Sequence, residues 1–188
     1  MQFTSVVDNA EVSGIEILGG GSPTPTPTPT APTPTATPGT GGGVHLDAGG
    51  PAAAPYSADA DFNGGAAVST ANVIDTSGVT NPAPQAVYQT NRVGLTFSYA
   101  IPNLTAGKTY TVRLHFAETY WTATGKRVFN VSINTQSVLS NFDIVAAAGG
   151  ANKAVVKQMT ATADGSGIIT IQFTSVVDQA QINGIDIS

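Results

Sequence analysis

Thr109-Tyr-Thr-Val-Arg-Leu-His-Phe116 puts Tyr110, Val112, Leu114 and Phe116 on one side of an extended chain and Thr109, Thr111, Arg113 and His115 on the other. A period of two is the signature of a strand with one apolar and one polar face, and it assigns His115 to the polar face. The pattern recurs outward from this stretch. Leu95, Phe97, Tyr99 and Ile101 alternate with polar or small residues, as do Phe129, Val131 and Ile133, then Ile169, Ile171 and Phe173, and finally Ile185 and Ile187. Turn chemistry separates these runs at Thr105-Ala-Gly107-Lys108, Gly125-Lys126, Asn134-Thr-Gln136 and Asp164-Gly-Ser-Gly167. Short alternating strands punctuated this often, without a convincing amphipathic helix, predict an all-β fold, an antiparallel jelly-roll β-sandwich.

The domain boundaries come from composition and repetition. Residues 19–43 hold an alternating Pro-Thr string, Pro23 to Pro38, between Gly-rich flanks. In polyproline II such a string of sixteen residues reaches on the order of 50 Å, so it reads as a linker with threonine hydroxyls of the kind that carry O-glycans. Residues 1–18 repeat residues 171–188 at an offset of 170, with 11 of 18 positions identical. They read as the C-terminal strand remnant of a preceding repeat, which leaves residues 44–188 as one complete domain. Eighteen residues cannot bury a core alone, so strand pairing with a neighbouring chain, and hence self-association, is one expected outlet.

Charge and residue counts narrow the chemistry. The chain of 188 residues has 7 Lys and Arg against 12 Asp and Glu, with no Cys. That excludes a cationic phosphate-binding stripe and thiolate chemistry, so nucleic acid is not an expected partner. No apolar run has the length of a membrane span, so no membrane insertion is expected. Glu118 is the only glutamate after the linker, no spacing defines a catalytic carboxyl pair, and there is no Gly-x-Ser-x-Gly elbow. A non-enzyme is expected. Asp47, Asp59, Asp61 and Asp75 offer calcium-type oxygens, but without a loop motif solvated turn aspartates are the simpler reading, and no cofactor is expected.

Aromatic residues are more informative. Glu118-Thr-Tyr120-Trp121-Thr-Ala-Thr-Gly125 sets two large rings, one of them the only Trp, in a loop beyond a strand. Tyr88-Gln-Thr-Asn-Arg92 supplies a third ring with a run of hydrogen-bonding groups. Exposed rings near amides and carboxylates suit a pyranose, whose C–H face stacks while its hydroxyls seek polar partners. A core role is the competing reading for Trp121, and an ordinary edge strand for the Tyr88 segment.

Val87-Tyr-Gln-Thr-Asn-Arg92, Leu114-His-Phe-Ala-Glu-Thr-Tyr-Trp121, Arg127-Val-Phe-Asn-Val-Ser-Ile-Asn134 and Asn141-Phe-Asp-Ile144, in this order, resemble the malectin-like domain, family 57 of carbohydrate-binding modules. Asp47-Ala-Gly-Gly50 matches its opening and Ile182-Asn-Gly-Ile-Asp-Ile187 its closing strand, so the resemblance covers essentially all of residues 44–188. It implies a jelly-roll sandwich that binds oligosaccharide or polysaccharide without catalysis, on a secreted or cell-surface protein of expected bacterial source, since bacterial relatives are appended to glycoside hydrolases. It also implies ligand contacts at Tyr88, Tyr120, Trp121 and Asp178. Departures from the family are Asn91 in place of the usual acid before Arg92, Trp121 in place of Phe, and Gly64-Gly-Ala-Ala-Val-Ser69 where the animal protein has a further tyrosine.

Overall fold

The computed structural model describes residues 43–188. The expected remnant at 1–18 and the linker, up to residue 42, lie outside the described residues. Twelve strands and two short helices follow in order: β1 Val44–Asp47, β2 Phe62–Asn63, β3 Ala66–Ser69, α1 Gln85–Tyr88, β4 Thr90–Gly94, β5 Thr96–Ile101, β6 Thr109–Ala117, β7 Val128–Ile133, β8 Gln136–Phe142, α2 Ile144–Ala148, β9 Ala154–Thr162, β10 Ile169–Val177, β11 Ala180–Ile182 and β12 Gly184–Ile187. All ladders between them are antiparallel.

Two sheets face each other. One has the order β1-β12-β6-β9 and the other β2-β5-β10-β7-β8, and a third, smaller sheet, β11-β4-β3, continues at one end. The alternation in the sequence supplies the interior: Val112, Leu114, Phe116, Ile185 and Ile187 from the first sheet meet Phe97, Tyr99, Phe129, Val131, Ile171 and Phe173 from the second. Phe97 and Phe173 stack at 4.7 Å between ring centroids. Each large side chain buried here contributes about 1.5–3 kcal/mol. The all-β sandwich is therefore as the period of two predicts, and the turns fall at the expected places, with Gly107, Gly125, Asn134 and Gly167 in the left-handed region that tight turns require.

Two expectations fail: Leu95, aligned by the alternation with Phe97, Tyr99 and Ile101, lies in the turn between β4 and β5 and is 67% exposed. His115 is wholly buried rather than on a solvated polar face. The outer face of the four-stranded sheet carries a second layer, in which Tyr56, Ile74, Val87 and Tyr88 pack beside Ala117 and Ala154. Beneath it His115 Nε2 meets Asp186 Oδ2 at 2.9 Å, its Nδ1 meets the Tyr88 hydroxyl at 2.9 Å, and His45 Nδ1 meets Asp186 Oδ1 at 3.0 Å. Burial works to raise the Asp186 carboxyl, but the hydrogen bond and charge of His115, with Tyr56 and His45 behind it, hold it down at about 2.

Candidate functional site

β6 ends at Ala117, and Glu118, the next residue, organises the loop that follows. Its Oε1 accepts from the backbone N–H groups of Tyr120 and Trp121 at 2.9 and 3.1 Å, and its Oε2 accepts from Arg127 Nε at 2.6 Å. Arg127 Nη1 in turn donates to the carbonyl of Gln179 at 2.6 Å, tying this loop to the one between β10 and β11. A charged pair buried this deeply survives only because nearly every polar atom is engaged. Both oxygens of Glu118 are therefore taken, and the side chain is closed to solvent.

The brace sets the two rings. Tyr120 is 73% exposed, and its ring meets Trp121 edge to face, at 4.8 Å and 88°. Trp121 Nε1 donates to Asp178 Oδ2 at 2.6 Å, which fixes the indole plane. Asp178 follows a register shift near the end of β10 and has φ 56, a left-handed conformation in which Asp and Asn are the tolerated non-glycine residues. Its side chain is 36% exposed and lies 3.5 Å from Arg127 Nη1.

Tyr120, Trp121 and Asp178 border a groove of about 390 Å³ whose lining also includes Val68, Asn91 and Gln181 from the small sheet. Asn91 Nδ2 donates to Gln181 Oε1 at 3.0 Å, and Gln181 Nε2 donates to the Ala117 carbonyl at 2.7 Å, so the floor is a chain of fixed amides. Rings on the wall, amides on the floor and a carboxylate on the rim can stack against an apolar face and accept or donate hydrogen bonds around it.

Three of the four expected contact residues thus come together, and Tyr88 does not. It is 0% exposed, with its hydroxyl on His115 Nδ1, so its ring cannot meet a ligand. It is the last residue of α1, two before the start of β4, and the sequence carries no sign of the layer that covers it. Arg92, in the same segment, is also structural: it pairs with Asp59 and sits 3.3 Å over the Phe62 ring. Sequence reasoning missed Glu118 and Arg127 as a brace and Val68, Asn91 and Gln181 as lining. Their signal, two opposite charges nine residues apart on either side of a ring pair, is visible only once the loop path is known. Of the four aspartates considered for calcium, three are engaged by the protein, and Asp61 keeps a buried Oδ2 without a hydrogen-bond partner. Asp47 accepts from Thr90, Asp59 from Arg92 and Tyr99, and Asp75 from the Ser77 backbone, and among the described residues no group of three or more metal-ligating side chains gathers. No helix among the described residues is long and apolar enough to cross a membrane.

Comparison with known proteins agrees with the fold. Receptor-like protein 4 of Arabidopsis thaliana is 34% identical over 113 residues, which is 55% of this chain and 17% of that protein. The chain therefore spans a small part of this relative. The ANX2 ectodomain of the same plant superposes with a TM-score of 0.68 at 23% identity, over 77% of this chain and 48% of that one. A β-glucuronidase of Bacteroides uniformis carries the same fold, with a TM-score of 0.61 at 19% identity, over 79% of this chain and 18% of the enzyme. The Malectin domain model matches residues 43–185, and the chain belongs to that family.

Proposed function

We propose that this chain is a non-catalytic carbohydrate-binding module for a glucan-like or other polysaccharide or glycan, held in the groove of Tyr120, Trp121 and Asp178. The observation that carries the reading is the pair of ordered rings, one of them largely exposed, pinned by Glu118 and Asp178 above fixed amides. Side chains locked before the ligand arrives lose little entropy on binding. A shallow groove of this kind suits weak binding. The extracellular relatives support a secreted or cell-surface setting. The expected bacterial source finds no support in the plant relatives and forms no part of the proposal. No catalysis is proposed, because a glycosidase needs a free acid and base and both Glu118 oxygens are engaged. Glucans incubated with the protein release no reducing ends on this reading, and release that stops with Glu118→Gln overturns it.

The test of binding is a glycan array followed by calorimetry on parent and Trp121→Ala, with circular dichroism to check folding. Loss of the platform costs about 1–3 kcal/mol. A folded variant that binds as tightly as the parent refutes the site. A second reading rests on the duplication of residues 171–188 at 1–18: the chain is part of a tandem-repeat adhesin or filament subunit that assembles through strand pairing of the N-terminal copy.

A further inference from the structure

We infer that the groove selects by charge, taking uncharged and amino sugars and discriminating against uronates. This deepens the carbohydrate reading and rests on it. Three charged side chains organise the site: Glu118 beneath it, Arg127 at its base and Asp178 on its rim. Arg127 is the single cation among them, and it faces an acid on each side, Glu118 and Asp178. Its Nε binds Glu118 Oε2 and its Nη1 the Gln179 carbonyl, with its side chain 8% exposed. The trio therefore carries one net negative charge, and its exposed member is the Asp178 carboxylate. Asp178 Oδ2 accepts from Trp121 Nε1, and no protein hydrogen bond occupies Oδ1.

The neighbouring cations do not alter this. Lys126 and Lys153 are exposed, Lys153 lies near Asp75, and neither lines the groove. A sugar hydroxyl or ammonium stacked beside Trp121 finds an acceptor at Asp178. A sugar carboxylate in the same place finds a like charge, and the guanidinium nearest to it is 8% exposed and already faces Glu118 and Asp178.

The experiment pairs the neutral glycan that binds best on the array with its own C6-oxidised, uronate form and with a matched glucosamine chain. Each is titrated at low and at high salt. The uronate binds about tenfold more weakly at low salt, and the gap closes to about twofold at about 0.5 M salt because the carboxylate faces water. The glucosamine chain binds at least as tightly as the neutral one. Asp178→Asn keeps an acceptor for Trp121 and a residue at home in the left-handed region while removing the charge, so it collapses the neutral-to-uronate ratio. The readout is that ratio, not absolute affinity. A uronate that binds as well as its neutral parent overturns the inference while leaving the carbohydrate reading intact, as does a ratio that salt does not change. An array on which no glycan binds removes the carbohydrate reading itself and the inference with it.

Discussion

Glu118 and Asp186 are both buried acids held by basic partners, yet one builds a surface and the other a core. Asp186 sits under Tyr56 and Tyr88, between His45, His115 and Arg113. Glu118 sits under Tyr120 and Trp121, with Arg127 beside it. The chemistry is alike, and the difference is what lies above. A layer from residues 53–88 seals the first network, whereas solvent covers the rings over the second. An acid paired with a base is thus no guide to function until the overlying layer is known.

The sharpest way to break the comparison is Asp186→Ala. It leaves His45, His115 and Arg113 without their shared carboxylate, and removing one partner of a buried pair costs about 3–5 kcal/mol. Domains of this size hold about 5–15 kcal/mol in total, so urea titration reveals a large loss. Glycan affinity of the folded fraction is expected to be unchanged. A variant of parental stability shows that the network is not structural.

A second test uses pH, because two buried aspartates respond with opposite sign. The Asp186 carboxyl, held at about 2, is stabilising once ionised, so stability is lost as pH falls from about 4 towards 2. Burial pushes Asp47 up to about 6, with the Asp59 charge adding to the rise and the Thr90 hydroxyl opposing it. That group favours the folded state while protonated, and its contribution is lost as pH rises from about 4 through 6. Each limb spans about 2–3 kcal/mol. Urea midpoints between pH 2 and 8 are expected to peak near pH 4. Asp186→Asn flattens the acid limb and Asp47→Asn the other. A monotonic profile contradicts both assignments.

Much of this fold was legible because alternation and turn residues are local. Phe97, Leu114, Val131 and Phe173 face the core as the period of two demands. At the site, Tyr120 and Trp121 were legible as rings in a loop, and Asp178 through family resemblance. His115 was misread because alternation says which face a residue takes, not whether a further layer covers that face, and the contact that family resemblance assigned to Tyr88 lies within that same layer. Tyr56, 59 residues from His115, helps close it, and no local pattern encodes so distant a lid.

Smaller effects separate the two tyrosines. Tyr88→Phe removes a buried hydroxyl from His115 Nδ1 and costs about 1 kcal/mol of stability without touching affinity. Tyr120→Ala, on a ring 73% exposed, weakens glycan binding and leaves the thermal midpoint within about 1–2 °C. Reversal of the two results, by calorimetry and thermal melts, returns Tyr88 to the site.

The smallest expected effect concerns residues 1–18, whose twin at 171–188 forms most of β10 and all of β11 and β12. β10 lies between β5 and β7, and β12 between β1 and β6, so an invading copy must displace central strands. The sequence differences weigh against that. Gln181 donates to the Ala117 carbonyl, and Asn183 accepts from the Ala117 N–H and donates to the carbonyls of Tyr88 and Thr90. Glu11 and Ser13 stand at the matching positions of the copy. A glutamate has no proton to give the Ala117 carbonyl, and a serine is too short for three partners, at a cost of about 1–3 kcal/mol for each buried group left unpaired. Exchange is therefore disfavoured, and pairing at a free edge is the remaining route. β9 offers nine residues in unbroken register with β6, whereas β8, the other long edge, is interrupted by register shifts. Edge pairing without exchange is weak, so full-length chain is expected to self-associate only at high concentration, and deletion of residues 1–18 to abolish this while glycan affinity and melting temperature stay the same. Sedimentation of both chains decides: a full-length chain that stays monomeric throughout removes the assembly role, and oligomers that persist after the deletion place the contact elsewhere in the domain.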